Sequence, residues 1–257
     1  MRRFNLFPIA LVASSALILG TGPALRAGDA DNRIEAAAKG SYNFKTYLKD
    51  DAIKVQSRDG VVTLSGTVAR DYHKFLAEET VAGLPGVQRV DNQLTLVGEQ
   101  PSDKSDGWIS TKVMAALTFH KHVSATSTEV HTKDGVVTLT GKADTAAQKE
   151  LTGEYAKDVE GVKEVRNELT VTHPAKKPAH ETFGEKVDDV SITAQLRTAL
   201  LFRKSTHVLA TKIKTRDAVV TLHGEARTAA ERDLVTKIAE DIKGVRQVHN
   251  RMTVRKN

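Results

Sequence analysis

Internal repetition constrains this chain more than any other feature. The segment Asp59-Gly60-Val61-Val62-Thr63-Leu64-Ser65-Gly66 returns as Asp134-Gly135-Val136-Val137-Thr138-Leu139-Thr140-Gly141, and again as Asp217-Ala218-Val219-Val220-Thr221-Leu222-His223-Gly224. Twenty residues beyond each closing glycine (Gly66, Gly141, Gly224) stands a second glycine (Gly86, Gly161, Gly244), followed each time by Val-x-x-Val-x-Asn. Two matched segments at one spacing, three times over, call for three small units of one design rather than a single large domain.

Each unit can be laid out from these fixed points. Ile34, Ile109 and Ile192 stand 25 residues before the first aspartate of their copies. Apolar residues follow at helical spacing in copies two and three (Ile109, Val113, Leu117; Ile192, Leu196, Leu200) and more weakly in copy one (Ile34, Ala38, Tyr42). A short alternating run comes next, such as Ile53-Lys54-Val55 or Thr211-Lys212-Ile213-Lys214, which reads as a half-buried strand. Asp-Gly then supplies a tight hairpin turn, because it tolerates positive φ. Ala218 replaces that glycine in the third copy, so a different turn type is expected there. After the Val-Val-Thr-Leu strand, Leu76-Thr80-Leu84, Leu151-Tyr155-Val159 and Leu234-Ile238-Ile242 mark one face of a second helix. A final strand closes each unit.

The expected class is therefore α+β: three tandem αββαβ modules, each a three-stranded mixed sheet covered on one face by two helices. Strands two and three flank a helical crossover and should run parallel. The modules span 31–97, 106–172 and 189–255, with a Pro- and Lys-bearing linker at 173–188. That linker contrasts with the short connection before module two, so modules one and two are expected to sit together and module three to be more independent. A unit of 67 residues buries only about 60% of its surface, so contacts between modules should matter.

Residues 1–27 read as a signal peptide: Arg2-Arg3, then an uncharged apolar stretch from Phe4 to Leu19, then small residues with cleavage after Ala27 or Ala24. The mature chain is expected in the periplasm. The absence of cysteine from all 257 residues excludes disulfides, thiolate metal sites and a cysteine nucleophile. Charge is uneven. Module one carries 9 basic and 9 acidic residues, module two 8 and 10, and module three 13 and 7, so module three alone equals the net charge of +6.

The paired segments, D-G-V-V-T-L-[ST]-G and G-V-x-x-V-x-N-x-[LM]-T-[LV], resemble the BON domain (bacterial osmotically inducible protein Y and nodulation). The resemblance covers nearly all of the mature chain. It implies small αββαβ modules in envelope proteins, phospholipid interaction, and chaperone-like roles under osmotic stress.

The residues themselves offer little catalytic chemistry. The copies share apolar positions, glycines, a turn aspartate and Asn92, Asn167 and Asn250, none of which pairs a nucleophile with a base. The asparagines are expected to satisfy backbone groups. Gly66, Gly86, Gly141, Gly161, Gly224 and Gly244 read as structural, without the context of a phosphate-binding loop. His120-Lys121-His122, with His131 nearby, reads as a solvated loop rather than a metal site. No cofactor is expected. The candidate binding residues are basic and lie in module three: Arg227, Arg232, Lys237, Lys243, Arg246 and Arg251, with Lys212, Lys214 and Arg216 on its first strand. Steps of five residues advance a helix about 140° past a full turn, so Arg227, Arg232 and Lys237 do not form a stripe. Such cations would meet an anionic phospholipid surface. Nucleic acid is disfavoured by export and by an aromatic content of 5%. The expected function is a non-enzymatic exported envelope protein that binds anionic phospholipid through module three. The alternatives are a periplasmic osmotic-stress chaperone-like protein and an adaptor, with other envelope proteins as partners, in a transport assembly.

Overall fold

The structure is a computed structural model that describes residues 27–98, 105–123, 125–172, 186–206 and 211–255. The expected leader and most of the linker, residues 1–26 and 173–185, lie outside the described residues.

Module one contains α1 (Ala27–Gly40), α2 (Tyr42–Thr46), β1 (Ala52–Arg58), β2 (Val61–Val68), α3 (Asp71–Ala82) and β3 (Arg89–Leu96). Module two contains α4 (Asp106–Thr118), β4 (Thr128–Lys133), β5 (Val136–Ala143), α5 (Ala146–Lys157), β6 (Glu164–Asn167) and β7 (Thr170–Val171). Module three contains α6 (Asp189–Leu201), β8 (Thr211–Arg216), β9 (Val219–Ala226), α7 (Ala229–Asp241), β10 (Gln247–Asn250) and β11 (Thr253–Val254). The architecture is α+β, in three repeated modules. In each sheet the middle strand pairs antiparallel with the strand before it and parallel with the strand after the crossover helix.

Local chemistry explains the element ends. Ser105, Thr145, Asp188 and Thr228 cap α4, α5, α6 and α7, each accepting from the backbone N–H three residues on. In module one the entry helix is split where Gly40 and Ser41 stand. Ser41 Oγ donates to Ala38 O at 2.7 Å and accepts from Phe44 N, which ends one helix and starts the next. The closing strand is continuous in module one and interrupted after the asparagine in the other two, although Asn92, Asn167 and Asn250 all accept through Oδ1 from the N–H two residues on.

All three hairpins use one turn. Asp59, Asp134 and Asp217 have φ of 52°, 55° and 52°, and Gly60, Gly135 and Ala218 have φ of 75°, 80° and 62°. Positive φ at both central positions is the type I′ pattern that matches strand twist. The third hairpin therefore does not change turn type, contrary to the sequence expectation. Its turn is held from outside. Asp189 accepts from Asp217 N and Ala218 N, both at 2.8 Å. Asp31 holds Asp59 N and Gly60 N in the same way, and Asp106 holds Asp134 N and Gly135 N. A carboxylate on the first helix clamps the turn in every module.

The relation between modules also departs from expectation, because module three is not the independent one. α6 packs against α3 of module one and α4 of module two. One continuous apolar core runs through modules one and three and takes in Phe119 of module two, while Phe202 of module three joins the core of module two. The interface suits close approach, since Ala77, Ala115, Ala194 and Ala199 are fully buried. Polar groups pin it: in the buried centre Asn43 Nδ2 donates to Thr80 Oγ1 at 2.9 Å and Gln195 Nε2 donates to Asn43 Oδ1 at 2.8 Å, and at the partly exposed margin Arg197 Nη1 meets Glu79 Oε2 at 2.6 Å. Linker composition reports how a chain gets from one module to the next, not where the next one docks.

Two substitutions check this account. Ala218→Gly should raise stability by about 1 kcal/mol, the usual cost of a left-handed residue with a Cβ, read as a higher urea midpoint. Gly141→Ala should lower it by about 2 kcal/mol, because a Cβ there would lie 2.1 Å from Ser127 O.

Candidate functional site

The helices gather toward the centre of the molecule, so each sheet keeps its other face open. In module three the alternation is clear: Ile213, Val220 and Leu222 are buried under the helices, while Lys212, Lys214 and Arg216 of β8 are exposed on the other face. The register sets Arg216 beside Val219 and Gln247, Lys214 beside Thr221 and His249, and Lys212 beside His223. Arg251 follows β10 on the outer edge, and its N–H donates to Leu222 O at 2.8 Å. Glu225 of β9 is exposed toward the far end and is ion-paired with Arg255 at 2.6 Å. The three cations of β8 are opposed by no acidic residue in the strand rows beside them.

The equivalent faces of the other modules are mixed. On module two, Glu129 and Glu164 alternate with Lys133 and Arg166, and Arg166 pairs with Glu164 at 3.3 Å. On module one, Arg58, Lys54 and Arg89 share the face with Asp91. The positive charge of module three is thus concentrated on a surface as well as in a count.

The six basic residues singled out from the sequence fall in three places. Arg227 precedes α7 and lies 3.7 Å from Glu231; Arg232 on α7 pairs with Asp233 at 3.0 Å; Lys237 is exposed on the same helix. These three lie on the helical side, away from Lys212, Lys214 and Arg216. Lys243 sits at the junction with module two, where its N–H donates to Phe119 O at 3.0 Å. Arg246, exposed, precedes β10 at the hairpin end of the sheet, and its N–H donates to Ala218 O at 2.9 Å. Arg246 and Arg251 are therefore the two that the fold places along the basic sheet.

The glycines have definite work. Gly66, Gly141 and Gly224 have φ of 111°, 116° and 134°, and Gly86, Gly161 and Gly244 lie between 85° and 91°, all in the left-handed half that disfavours a Cβ. The asparagines tie the closing strand to the crossover helix: the Nδ2 of Asn92, Asn167 and Asn250 donates to Lys74 O, Lys149 O and Arg232 O at 3.1, 2.6 and 2.9 Å.

His120 is not in a solvated loop. It is fully buried where modules two and three meet, and the two modules exchange bonds there in matched pairs. Lys121 N donates to Asp241 O, and Lys204 N to Asp158 O, both at 2.8 Å. Lys243 N donates to Phe119 O, and Glu160 N to Phe202 O, at 3.0 and 2.9 Å. The ammonium of Lys121 reaches Glu240 O and Val245 O; that of Lys204 reaches Lys157 O and Val162 O. Every pair is related by the same offset of 83 residues that separates the two repeats, so the junction is a local two-fold.

Polar side chains fill its centre. His120 Nδ1 lies 3.0 Å from Asp241 Oδ2, Tyr155 OH donates to Asp241 Oδ2 at 2.8 Å, and His122 Nδ1 contacts Asp241 Oδ1. Arg203 reaches Asp158 at 3.4 Å and His120 Nε2 at 3.2 Å, with its guanidinium 4.7 Å from the centre of the Tyr155 ring. Burial would raise the pKa of Asp241, but His120, His122 and Tyr155 outweigh it and hold the carboxyl below its ordinary value. Burial pushes Tyr155 well up. Among the described residues, no group of three or more His, Asp or Glu side chains is arranged to hold a metal ion.

Sequence reading missed the clamp aspartates, although all three stand 28 residues before the turn aspartate and could have been found by that spacing. It also missed Arg203 and Asp241, which no short-range pattern connects.

The BON domain model matches residues 30–98, 105–173 and 188–256, and the chain belongs to that family. It is 34% identical over 166 residues to the Osmotically-inducible protein Y of Escherichia coli, covering 63% of this chain and 78% of that one. It is 33% identical over 131 residues to a 21 kDa hemolysin of Actinobacillus pleuropneumoniae, covering 49% and 66%. The Outer membrane lipoprotein DolP of Haemophilus influenzae is 30% identical over 125 residues, covering 46% and 64%. Among solved structures, the C-terminal domain of CdsD, a structural protein of the type III secretion system of Chlamydia trachomatis, aligns over 89% of this chain and 98% of its own at 14% identity, with a TM-score of only 0.24.

Asp241→Ala should cost about 3 kcal/mol, as expected for breaking a buried charged network, whereas Lys237→Ala on the exposed face of the same helix should cost less than about 0.5 kcal/mol. Thermal unfolding of the two variants checks the contrast.

Proposed function

We propose that this is a non-enzymatic, exported envelope protein that docks reversibly on anionic phospholipid surfaces through the open sheet face of its third module. The observation that carries the reading is the row Lys212, Lys214 and Arg216 on one edge strand, with Arg246 and Arg251 flanking the opposite edge strand, on a face whose acidic residue, Glu225, is already paired. A sheet face is broad and shallow, which suits a plane of headgroups better than a small solute. Each cation near such a plane contributes about 1 kcal/mol. The names of the relatives, one osmotically inducible and one an outer membrane lipoprotein, agree with an envelope setting. No helix among the described residues is long and apolar enough to cross a membrane.

A groove of about 1670 Å³ between modules one and two favours a second reading. Tyr47, Tyr72, Met114, Val123, Val130 and Leu151 line it, and a chaperone-like protein would use such a surface to hold apolar segments of other envelope proteins.

Co-sedimentation of the full chain with vesicles distinguishes the two. Lys212→Glu, Lys214→Glu and Arg216→Glu together should lower partitioning onto anionic vesicles by at least about a hundredfold, and salt should weaken what remains. Arg232→Glu with Lys237→Glu should change it little. Loss caused by the helix pair instead would refute the docking face. Client aggregation that stays suppressed by the triple variant, with no vesicle binding by the native chain, would favour the second reading.

A further inference from the structure

Equivalent residues face each other across a two-fold axis. At the junction of modules two and three that pair is His120 and Arg203, which are 83 positions apart like every other matched pair there. Guanidinium can only donate, so Arg203 Nη2 donates to His120 Nε2 at 3.2 Å, and Nε2 carries no proton. The proton of the neutral ring is on Nδ1, which faces Asp241 Oδ2. Divergence of the two copies has placed a neutral acceptor opposite a cation.

We propose that His120 makes this junction a pH-sensitive joint, closed while the imidazole is neutral and opened when Nε2 takes up a proton. Protonation would set an N–H against the N–H of Arg203 and a cation against a cation, at a position with no exposure to solvent. The groups around the ring do not offset this. Asp241 from α7 attracts the imidazolium, but it lies on the Nδ1 side, 3.0 Å away, and leaves the clash of Nε2 with Arg203 in place; its oxygens also serve Tyr155 and His122. Tyr155 from α5 stacks at 4.1 Å and is neutral. Asp158 is committed to Arg203 and Ser205, and the ammonium of Lys121 is committed to Glu240 O and Val245 O. Burial, with Arg203 adding to it and Asp241 opposing, holds His120 below its ordinary pKa.

The sign follows from that direction. The open state binds the proton more readily than the closed one. The joint is therefore at full strength above the ordinary imidazole value of about 6.5 and weakens as pH falls below it. Asp241, held below its own ordinary value, stays ionised through this window. The buried His73–Asp51 pair of module one titrates with the same sign, so overall stability does not isolate His120.

A distance across the joint does. The chain has no cysteine, so Lys142→Cys and Lys237→Cys, both exposed, take spin labels cleanly in the full-length protein. The native background should give one narrow distance at about pH 7.5 and a longer, broad distribution at about pH 5. His120→Gln, whose amide can accept from Arg203 and donate to Asp241 without titrating, should stay narrow throughout; His73→Gln should open as the native chain does. Histidine-labelled native protein gives a second reading that needs no variant at position 120: the His120 ring shift and the distance should change together. A native distance unchanged to about pH 5, a His120→Gln protein that opens, or a His120 shift that stays flat while the distance changes would each overturn the proposal.

Discussion

A three-stranded sheet with helices on one side leaves a unit of this size short of buried surface, and the modules meet the shortage by sharing helices. α6 is the shared element. Ile192, Leu196 and Leu200 serve its own sheet, while Ala194 and Ala199 let α3 and α4 approach. The apolar core therefore crosses module boundaries, and polar groups caught at the crossings meet one another: Asn43 bonds to Thr80 and Gln195 in one place, and in another His120 bonds to Arg203 and lies 3.0 Å from Asp241. Because the helices turn inward, the sheets turn outward. The outward faces are the surfaces on which the modules differ in charge.

Much of this was legible in the sequence, and for local reasons. Hairpin turns, crossover helices and strand alternation depend on neighbours within about thirty residues, and the repetition shows each of them three times. The turn at Ala218 was misjudged because its conformation is imposed by Asp189, a residue on another element. The place of module three was misjudged because Phe119, Phe202 and the small residues of α6 look like ordinary core positions until the fold shows which core they enter. His120 looked like part of a polar loop between Phe119 and Lys121, and only the partner module buries it.

The candidate site was half legible. A charge count located it in module three, since charge is a property of composition. Which face carries it depends on strand register and on which side the helices cover. That separates Lys212, Lys214 and Arg216 from Arg232 and Lys237, which a count of module charge does not distinguish. The junction with module two is a further element that no single module contains. It arises from pairing two copies whose matched positions, His120 and Arg203 among them, have diverged.

The most direct test of the docking account is a map of lysine reactivity on the full chain with and without anionic vesicles. The account predicts that acetylation of Lys212 and Lys214 is suppressed on the vesicles while Lys237 and Lys142 react as in solution. Suppression at Lys237 with Lys212 and Lys214 unchanged, or equal reactivity at all four, would contradict it.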